Sequence, residues 1–332
     1  MPQVSILLPC RNAESTLDEA ITSLVGQTLA DFEVIAVDDG SDDATQSRLS
    51  AWAERDSRIC IIESKGSGIV SALNAAAAVA RGDLLVRMDA DDIAAPTRLE
   101  RQVAMLHGAP DLAGCGTQIR YFPAAVVRPG ARKYEQWLNS VNTPEEIERD
   151  LFIECPIPHP TLAIDRAAFD KVGGYRDMGW PEDYDLILRL WQGGYRMGKV
   201  AEVLLQWREQ PARLSRTHPR YSEGAFRRCK VHFLSGRIGD RPVVICGAGP
   251  VGKAFALELQ DQGHAVAAFV DLDPRKLGQN IHGAKVIDRA AIAEYNGAYC
   301  LAAVASPAAR QEIRQYLSAA AFNEVGDFCA VA

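Results

Sequence analysis

Phe32-Glu33-Val34-Ile35-Ala36-Val37-Asp38-Asp39-Gly40-Ser41 is a short apolar run that ends in two carboxylates and a glycine. Leu84-Leu85-Val86-Arg87-Met88-Asp89-Ala90-Asp91-Asp92 follows the same arrangement later in the chain. Apolar runs this short, rich in branched residues and closed by Gly or Asp, predict buried parallel strands. Ligands of open α/β sheets bind at the carboxyl ends of such strands. We therefore expect both acidic clusters to face one cleft, where a divalent cation relieves the repulsion between like charges.

The surrounding sequence alternates strand and helix signals. Asn12 is predicted to cap a first helix that carries Leu17, Ile21 and Leu24 on one face, and Pro96 begins another helix. Further strands are predicted at 4–9, 58–62, 112–121 and 199–205, and further helices at 43–55, 68–80, 133–151 and 182–192. This order predicts an α/β fold with a mainly parallel sheet covered by helices on both faces.

Composition excludes several classes of function. The chain has 332 residues, 48% of them hydrophobic, and a formal charge of −7, which argues against general nucleic-acid binding. It shows no apolar stretch long enough for a transmembrane segment and no export signal at its start. The eight cysteines are scattered without a C-x-x-C pair, so we expect no zinc or thiol-redox site and a reducing, cytoplasmic location.

Two later segments have their own character. The stretch 208–241 holds nine Lys or Arg residues against three acidic ones, and a helix is predicted around 220–236. It is either a solvated helix face or a dock for an anionic acceptor or an anionic membrane surface. After the strand Val243–Cys246, a G-x-G-x-x-G pattern opens a helix, and an acidic residue follows about 20 residues later, which is the dinucleotide-binding fingerprint. Its residues are Gly247, Gly249, Gly252 and Asp271.

The order of the motifs over about residues 3–216 resembles glycosyltransferase family 2, whose members have the A-type glycosyltransferase fold. The matching motifs are Ile6-Leu7-Leu8-Pro9 with Asn12, Val37-Asp38-Asp39-Gly40-Ser41, Asn74 with Ala80-Arg81-Gly82, Arg87-Met88-Asp89-Ala90-Asp91-Asp92, His159-Pro160-Thr161, Gly173-Gly174-Tyr175 and Pro181-Glu182-Asp183-Tyr184-Asp185. The resemblance implies a catalytic domain at 1–216, and the basic segment and the glycine motif predict a basic helical connector at 217–241 and a Rossmann-like nucleotide-binding domain at 242–332.

The resemblance also implies roles for single residues. Asp89 and Asp91 would hold Mg²⁺ or Mn²⁺ on the diphosphate of a nucleotide sugar, and Asp183 would be the general base. The residues implied in binding the nucleotide sugar are Pro9, Arg11, Asn12, Asp38, Asp39, Asn74, Asp89 and Glu182. Relatives often carry an aromatic residue where this chain has Arg11, whose guanidinium can also stack on a base.

Helix geometry and residue type leave some of these roles open. Asp183 shares a predicted helix face with Leu186 and Leu190, so it should point inward, whereas Glu182 and Asp185 point elsewhere. Alternatively, Asp183 only complements the helix dipole. His159 is a candidate for lining the cleft and His218 is a weaker metal-ligand candidate; either is alternatively structural or solvated. Arg208 and Arg216 are candidates for neutralising the diphosphate or for a surface role.

The resulting functional hypothesis is a metal-dependent inverting glycosyltransferase. Its expected donor is a nucleoside-diphosphate sugar, specifically a UDP-sugar. Its expected acceptor is a carbohydrate or a lipid-linked molecule. Peripheral membrane contact and homo-oligomerisation are left open. The last domain resembles the small nucleotide-binding domain ahead of bacterial sugar acyltransferases, with Val270-Asp271-Leu272-Asp273 as its turn. It would bind a UDP-sugar or NAD, or would serve as a scaffold. The alternative functions are an NAD(P)-binding oxidoreductase and a non-catalytic sugar-nucleotide sensor.

Overall fold

The computed structural model describes residues 2–64, 66–210 and 213–332, which divide into two compact units. The first unit comprises Met1–Ile147, Pro156–Met178 and Glu182–Thr217. The second comprises Glu148–Cys155, Gly179–Pro181 and His218–Ala332. None of the helices in the described ranges combines the length and apolarity needed to cross a bilayer.

The first unit is built on an eight-stranded sheet. Its strands are β1 Val4–Cys10, β2 Phe32–Asp38, β3 Ile59–Glu63, β4 Leu84–Arg87, β5 Ile93–Ala94, β6 Leu112–Phe122, β7 Ala163–Asp165 and β8 Arg196–Arg208. Its helices of six residues or more are α1 Leu17–Val25, α2 Thr45–Arg55, α3 Ile69–Val79, α4 Arg98–Gly108, α5 Pro129–Ser140, α6 Pro144–Asp150, α7 Arg166–Lys171 and α8 Glu182–Gln192, and α9 is the short turn Leu214–Thr217. The predicted α/β class is therefore confirmed.

Strand order explains how the acidic motifs meet. The order is β3-β2-β1-β4-β7-β6-β8-β5, and β1 pairs in parallel with both β2 and β4. In this register Cys10 lies opposite Asp38, and Leu7 lies opposite Arg87. The apolar side chains of β1, β2 and α1 pack into one core. Burial of that core fixes the register, so the carboxyl ends of β2 and β4 flank the end of β1.

Two local predictions were wrong. Asn12 does not cap α1, which begins at Leu17 after Thr16. Asn12 instead has a positive φ of 50° and is tied to the turn after β2, because its N–H donates to Ser41 Oγ at 3.0 Å. The single helix predicted at 133–151 is two helices, α5 and α6. The chain leaves the helical conformation between Ser140 and Pro144, because a proline lacks the N–H that a continuing helix needs.

The second unit contains a six-stranded sheet of its own. Its elements are α10 Glu223–Ile238, β9 Val243–Cys246, α11 Pro250–Asp261, β10 Val266–Val270, β11 Asn280–Ile281, β12 Ala284–Ile287, β13 Tyr299–Ala302, α12 Pro307–Ala319 and β14 Phe328–Ala330. The strand order is β11-β12-β10-β9-β13-β14, and every pair except β11–β12 is parallel. The strands form an apolar core with Ile313 and Leu317 of α12.

Most of the basic residues between 208 and 241 are held by partners within their own unit. Arg227 lies 3.6 Å from Glu258, and Arg241 lies 3.5 Å from Asp327. Lys230 is buried and donates to the carbonyl oxygens of Ile153 and Val331. These contacts favour a structural role for the charges of α10 over an open basic face.

A buried polar cluster secures the strands that carry the acidic motifs. Ser5 Oγ donates to Glu33 Oε1 at 2.7 Å, and Gly82 N donates to Ser5 Oγ at 2.8 Å. Arg81 donates to Glu33 from its backbone and from its side chain. Although burial alone would raise it, the pKa of Glu33 is lowered by these bonds from Arg81 and Ser5. The cluster therefore joins β1, β2 and the turn before β4.

Gly82→Ala should destabilise the first unit by about 1–3 kcal/mol, because a Cβ there would lie 2.7 Å from Ser5 N and 2.8 Å from Val4 C. Urea unfolding of the purified chain measures the change. Gly108→Ala is the matched control, since a Cβ at this α4 position meets nothing within 4 Å. Equal stability of the two variants would contradict the described packing.

Candidate active site

The acidic motif after β2 organises the loops around it. Asp38 Oδ1 accepts from the Ser41 hydroxyl at 2.5 Å. Asp39 accepts from Ser64 Oγ at 2.8 Å, Ser67 N at 3.0 Å and Gly68 N at 2.9 Å. Both carboxylates are buried. Their oxygens therefore shape the edge of the cleft.

Two other residues predicted to bind the nucleotide sugar lie close to this motif. Arg11 is 59% exposed, with Nη1 4.0 Å from Asp39 Oδ2, so its guanidinium stands over the motif from the solvent side. Pro9 lies opposite Val37 in the β1–β2 register. Asn74, by contrast, spends both polar atoms of its amide on the backbone of Tyr175, at 2.9 and 3.1 Å. Its observed contacts are structural.

The second acidic motif forms the cluster that defines the site. Asp89, Asp91 and Asp92 each offer a carboxylate oxygen within 4.8 Å of the others. Asp92 is fully buried and accepts from Arg208 N at 2.7 Å, while Asp91 accepts from Gln210 Nε2 at 2.8 Å. Asp92 Oδ2 is buried and accepts no hydrogen bond from the residues that the structure describes. Three close carboxylates, one with an oxygen that accepts no hydrogen bond from the described residues, could hold a hard divalent cation.

Burial and mutual repulsion change the acidity of this cluster. Burial, and after it the neighbouring Asp89, raises the pKa of Asp91 to about 6. Burial, with Asp89 and Asp91, also raises the pKa of Asp92 well above its usual value. A bound cation would reverse both effects, because it favours the ionised carboxylates.

Three arginines surround the cluster and were not predicted from the sequence as site residues. Arg87 is buried and forms an ion pair with Asp89. Arg98 is also buried but bonds to Arg87 O and Met88 Sδ, and burial lowers its pKa to about 10. Arg213 stacks over the Trp207 ring at 4.3 Å, and although burial acts to lower it, its pKa is raised by Tyr121, Asp92 and Asp89.

The start of α8 presents one carboxylate to solvent. Asp183 is half-buried, whereas Glu182 and Asp185 are buried, which reverses the exposure predicted from helix geometry. Asp185 bonds to Arg189 at 2.7 Å, and Arg189 in turn bonds to the carbonyl oxygens of Val172 and Gly174. This pairing explains the reversal, because a buried carboxylate with a bonded arginine anchors the helix.

The side chains of His159 and Tyr175 contact each other near the first turn of α8. His159 Nε2 is 2.9 Å from the Tyr175 hydroxyl, and its Nδ1 is 3.8 Å from Glu182. Burial, followed by Arg87, lowers the pKa of His159 well below its usual value, so the imidazole is neutral and its approach to Glu182 is not an ion pair. His159 therefore acts inside the wall of the cleft as a neutral hydrogen-bonding group.

Electrostatic influence on two buried groups links the motifs. The pKa of Tyr175 is raised chiefly by burial and also by Glu182, Asp183 and Asp89, against the lowering effect of Arg87. The pKa of Cys10 is raised by burial, and then by Asp38 and Asp89. The charges of Asp38 and Asp89 thus both act on Cys10, and those of Asp89 and Asp183 both act on Tyr175.

The remaining candidates lie in other settings. Arg208 pairs with Glu19 and donates from Nε to Asp91 O, so it braces the acidic loop. Arg216 pairs with buried Glu209. His218 belongs to the second unit, where its Nδ1 accepts from Arg220 N at 3.3 Å. A cavity of about 570 Å³, lined in part by Gln3, Asp83 and His107, opens at the amino-terminal ends of β1 and β4, away from the carboxylates.

The glycine motif of the second unit forms a tight strand-to-helix turn. A Cβ on Gly252 would lie 1.9 Å from Gly247 O, so only glycine fits there. A Cβ on Gly249, at the start of α11, would meet open space. Asp271 accepts from Ala248 N at 2.9 Å and from Lys276 Nζ at 2.8 Å. One amide of the turn is thus already bonded to the acidic residue of the motif.

The comparison with protein families decides the identity of the first unit. A model described as "Glycosyl transferase family 2" matches residues 5–173, which include both acidic motifs. The chain belongs to glycosyl transferase family 2. It is accordingly a glycosyltransferase, as predicted from its motifs. EpsE of Bacillus subtilis, whose description names it a glycosyltransferase, is 33% identical over 226 residues, which is 67% of this chain and 78% of EpsE.

Other relatives and solved structures agree with this membership. The O-antigen biosynthesis glycosyltransferase WbnJ of Escherichia coli is 28% identical, over 63% of this chain and 80% of WbnJ. S. aureus TarS, solved with UDP-GlcNAc, matches with a TM-score of 0.56 at 17% identity, over 70% of this chain and 66% of that one. The mannosyltransferase PcManGT of Pyrobaculum calidifontis, solved with GDP-Man and Mn²⁺, matches with a TM-score of 0.51 at 22% identity, over 79% and 69%. The first unit has the A-type glycosyltransferase fold.

Asp91→Asn should stabilise the metal-free glycosyltransferase at about pH 7.5, by on the order of 1–2 kcal/mol. The pKa of Asp91 is about 6 in the folded chain, which is above its value in the unfolded chain. Ionisation of Asp91 above that pH therefore lowers the free energy of unfolding, and protonation below it restores the lost stability. The advantage of the variant should therefore fall to about half at pH 5 and vanish only below about pH 4, where Asp91 is protonated in both the folded and the unfolded chain.

Urea unfolding in EDTA at both pH values measures this difference. The exposed Asp170→Asn on α7 is the control, because its carboxylate is 61% exposed and only pairs with Arg166. An Asp91→Asn variant that is less stable than the unaltered chain at the higher pH would contradict a raised pKa.

Proposed function

We propose that this family 2 glycosyltransferase is metal-dependent and inverting, and that it moves a sugar from a nucleoside diphosphate to an acceptor hydroxyl. The cluster of Asp89, Asp91 and Asp92 oxygens within 4.8 Å of one another carries the proposal. A cation stabilises the ionised form of like charges so close, two of which have raised pKa values. The same cation would stabilise the charge that develops on the departing nucleoside diphosphate.

The acidic cluster would hold the ion and the diphosphate. Asp89, Asp91 and Asp92 would ligate Mg²⁺ or Mn²⁺, which supplies stabilisation of the charge that develops on the departing nucleoside diphosphate. Arg213, buried beside the cluster, adds a fixed positive charge at the same edge. Gln210 donates to one oxygen of Asp91, which leaves the other oxygen for the ion.

Asp183 would be the general base. It is the one carboxylate in the first turn of α8 that is not buried, and its Oδ1 accepts from Tyr184 N at 2.7 Å, which fixes its orientation. As the acceptor oxygen attacks the anomeric carbon, its proton passes to Asp183 and the bond to the diphosphate breaks on the opposite face. A single displacement of this kind inverts the anomeric centre.

The donor that we propose is a UDP-sugar. TarS was solved with UDP-GlcNAc and has the same fold, while PcManGT was solved with GDP-Man. Asp38 and Asp39 line the cleft edge where the base and ribose would lie, with Arg11 above them as the stacking group. Pro9 in β1 and Asn12, which bonds to Ser41, would contribute to the same edge, and Glu182, 3.8 Å from His159, would contribute from α8.

The acceptor that we propose is a carbohydrate or a lipid-linked glycan, since WbnJ is named for O-antigen biosynthesis. The cysteines are free thiols and seven of the eight are buried, which favours a cytoplasmic setting. For the second unit we propose a nucleotide site at Gly247, Gly249, Gly252 and Asp271, with a role in oligomer scaffolding as the other candidate. The open space beside Gly249 favours the former.

Asp183→Asn should lower the rate of sugar transfer by about 10²–10⁴-fold, because the acceptor proton loses its base. Binding of Mn²⁺ and of the donor should stay within twofold of the unaltered chain. Nucleoside-diphosphate release in the presence of a glycan panel measures transfer, and calorimetry measures binding. Asp170→Asn is the surface control. Undiminished transfer by Asp183→Asn would overturn the assignment of the base.

A thermal-shift screen of the intact chain tests the donor. UDP or a UDP-sugar should raise the Tm only when Mn²⁺ is present, because the diphosphate and the carboxylates share the ion, and stabilisation by a ligand follows mass action. NAD is the informative competitor. A shift with NAD that does not depend on Mn²⁺, together with none from UDP, would favour the oxidoreductase alternative.

A further inference from the structure

Arg87 is a buried cation at the last position of β4, two residues before Asp89. Its side chain is 3% exposed, and its guanidinium pairs with the Asp89 carboxylate. The Nε donor bonds to no residue within 2–64, 66–210 or 213–332. Burying a charged guanidinium is costly unless it is paired, so the Asp89 contact is what stabilises it there.

Arg87 also faces the wall that leads to the proposed base. After the larger effect of burial, Arg87 acts to lower the pKa of both the Tyr175 hydroxyl and the His159 imidazole. Asp183 acts on the same Tyr175 hydroxyl and raises its pKa. The charge of Arg87 therefore acts on Tyr175 and His159 as well as on Asp89, its ion-pair partner.

Arg98 shows by contrast what a structural arginine does here. It too is fully buried, yet its donors go to Arg87 O at 2.7 Å, to Met88 Sδ at 3.2 Å and to Gln102 Oε1 at 3.1 Å. No carboxylate is among those hydrogen-bond partners. Arg98 thus fastens the β4 backbone, while Arg87 acts on a side chain of the acidic cluster.

We propose that Arg87 is a positioning residue of the transfer reaction, which holds the Asp89 carboxylate in the orientation that lets it share a divalent cation with Asp91. Asp89 has two oxygens, so one can remain paired with Arg87 while the other ligates the ion. Outer partners of this kind orient metal-ligating carboxylates. The proposal rests on the metal site proposed above.

Charge and orientation predict opposite results when Arg87 is removed. If Arg87 only neutralised charge, its loss would leave the cluster more negative, and the cluster would bind a cation more tightly. If Arg87 positions Asp89, its loss frees the carboxylate to turn away, and binding weakens by about 10–100-fold. The sign of the change in Mn²⁺ affinity therefore separates the two roles.

The experiment titrates the intact chain with Mn²⁺ alone and measures the free ion by electron paramagnetic resonance. R87M should weaken Mn²⁺ binding by at least about tenfold. R87K, which keeps a cation but not the planar fork, should fall between R87M and the unaltered chain. R98M is the matched control: it should lower the Tm, yet leave the Mn²⁺ affinity within twofold.

Each outcome of the Mn²⁺ titrations supports or overturns the positioning role of Arg87. Equal or tighter Mn²⁺ binding by R87M, with the unaltered chain binding normally, overturns the role of Arg87 and leaves the metal site standing. An unaltered chain that binds no Mn²⁺ overturns both. If R87M does not fold, R87K carries the test, with a loss of about fivefold or more expected and an unchanged affinity overturning the proposal. A loss in R98M equal to that in R87M also overturns it.

Discussion

The repulsion among Asp89, Asp91 and Asp92 is the constraint around which the first unit is arranged. Burial, and then the repulsion among three carboxylates within 4.8 Å, raises the pKa values of Asp91 and Asp92, so the bare cluster is destabilised when all three are ionised. The chain offsets part of that repulsion with Arg87 and with the Arg208 amide. A bound cation would offset the repulsion that remains among the carboxylates. The binding of an ion and the stability of the fold are therefore linked.

The α/β class and the strands that carry the acidic motifs could be predicted from the sequence because they follow from local patterns. Apolar runs closed by acidic residues identified β2 and β4, and the rule that ligands bind at the carboxyl ends of parallel strands predicted that both motifs face one cleft. The strand order, with β1 between β2 and β4, came from the structure. Helix α8 begins and ends at the predicted residues, 182 and 192. Its start is set by a proline and by the acidic residues that suit a helix N-terminus.

The environment of the site residues could not be read in the same way. Whether Asp183 or Asp185 is buried depends on Arg189 and on the carbonyl oxygens of the glycine turn, which no helical periodicity encodes. Asn12 left its predicted cap because Ser41, distant in sequence, accepts its amide. The partners of Arg87 and Arg213 could be identified only in the structure, where strand pairing sets their neighbours. The clue in the sequence was an arginine inside an apolar run, since such a residue is seldom buried without a partner.

Buried arginines on this edge of the sheet fall into two kinds, which explains how the cleft tolerates so much charge. Arg98 bonds to Arg87 O, Gln102 Oε1 and Met88 Sδ, and Arg189 bonds to Asp185 and to two backbone carbonyl oxygens; neither bonds to a carboxylate of the cluster. Arg87 instead pairs with the Asp89 carboxylate, and its Nε bonds to none of the residues that the structure describes. An ion pair on a rigid backbone would hold the Asp89 carboxylate in one orientation. A cation held by Asp89 and Asp91 would then be met by ligands already in place, so that its binding energy is not spent on ordering the site.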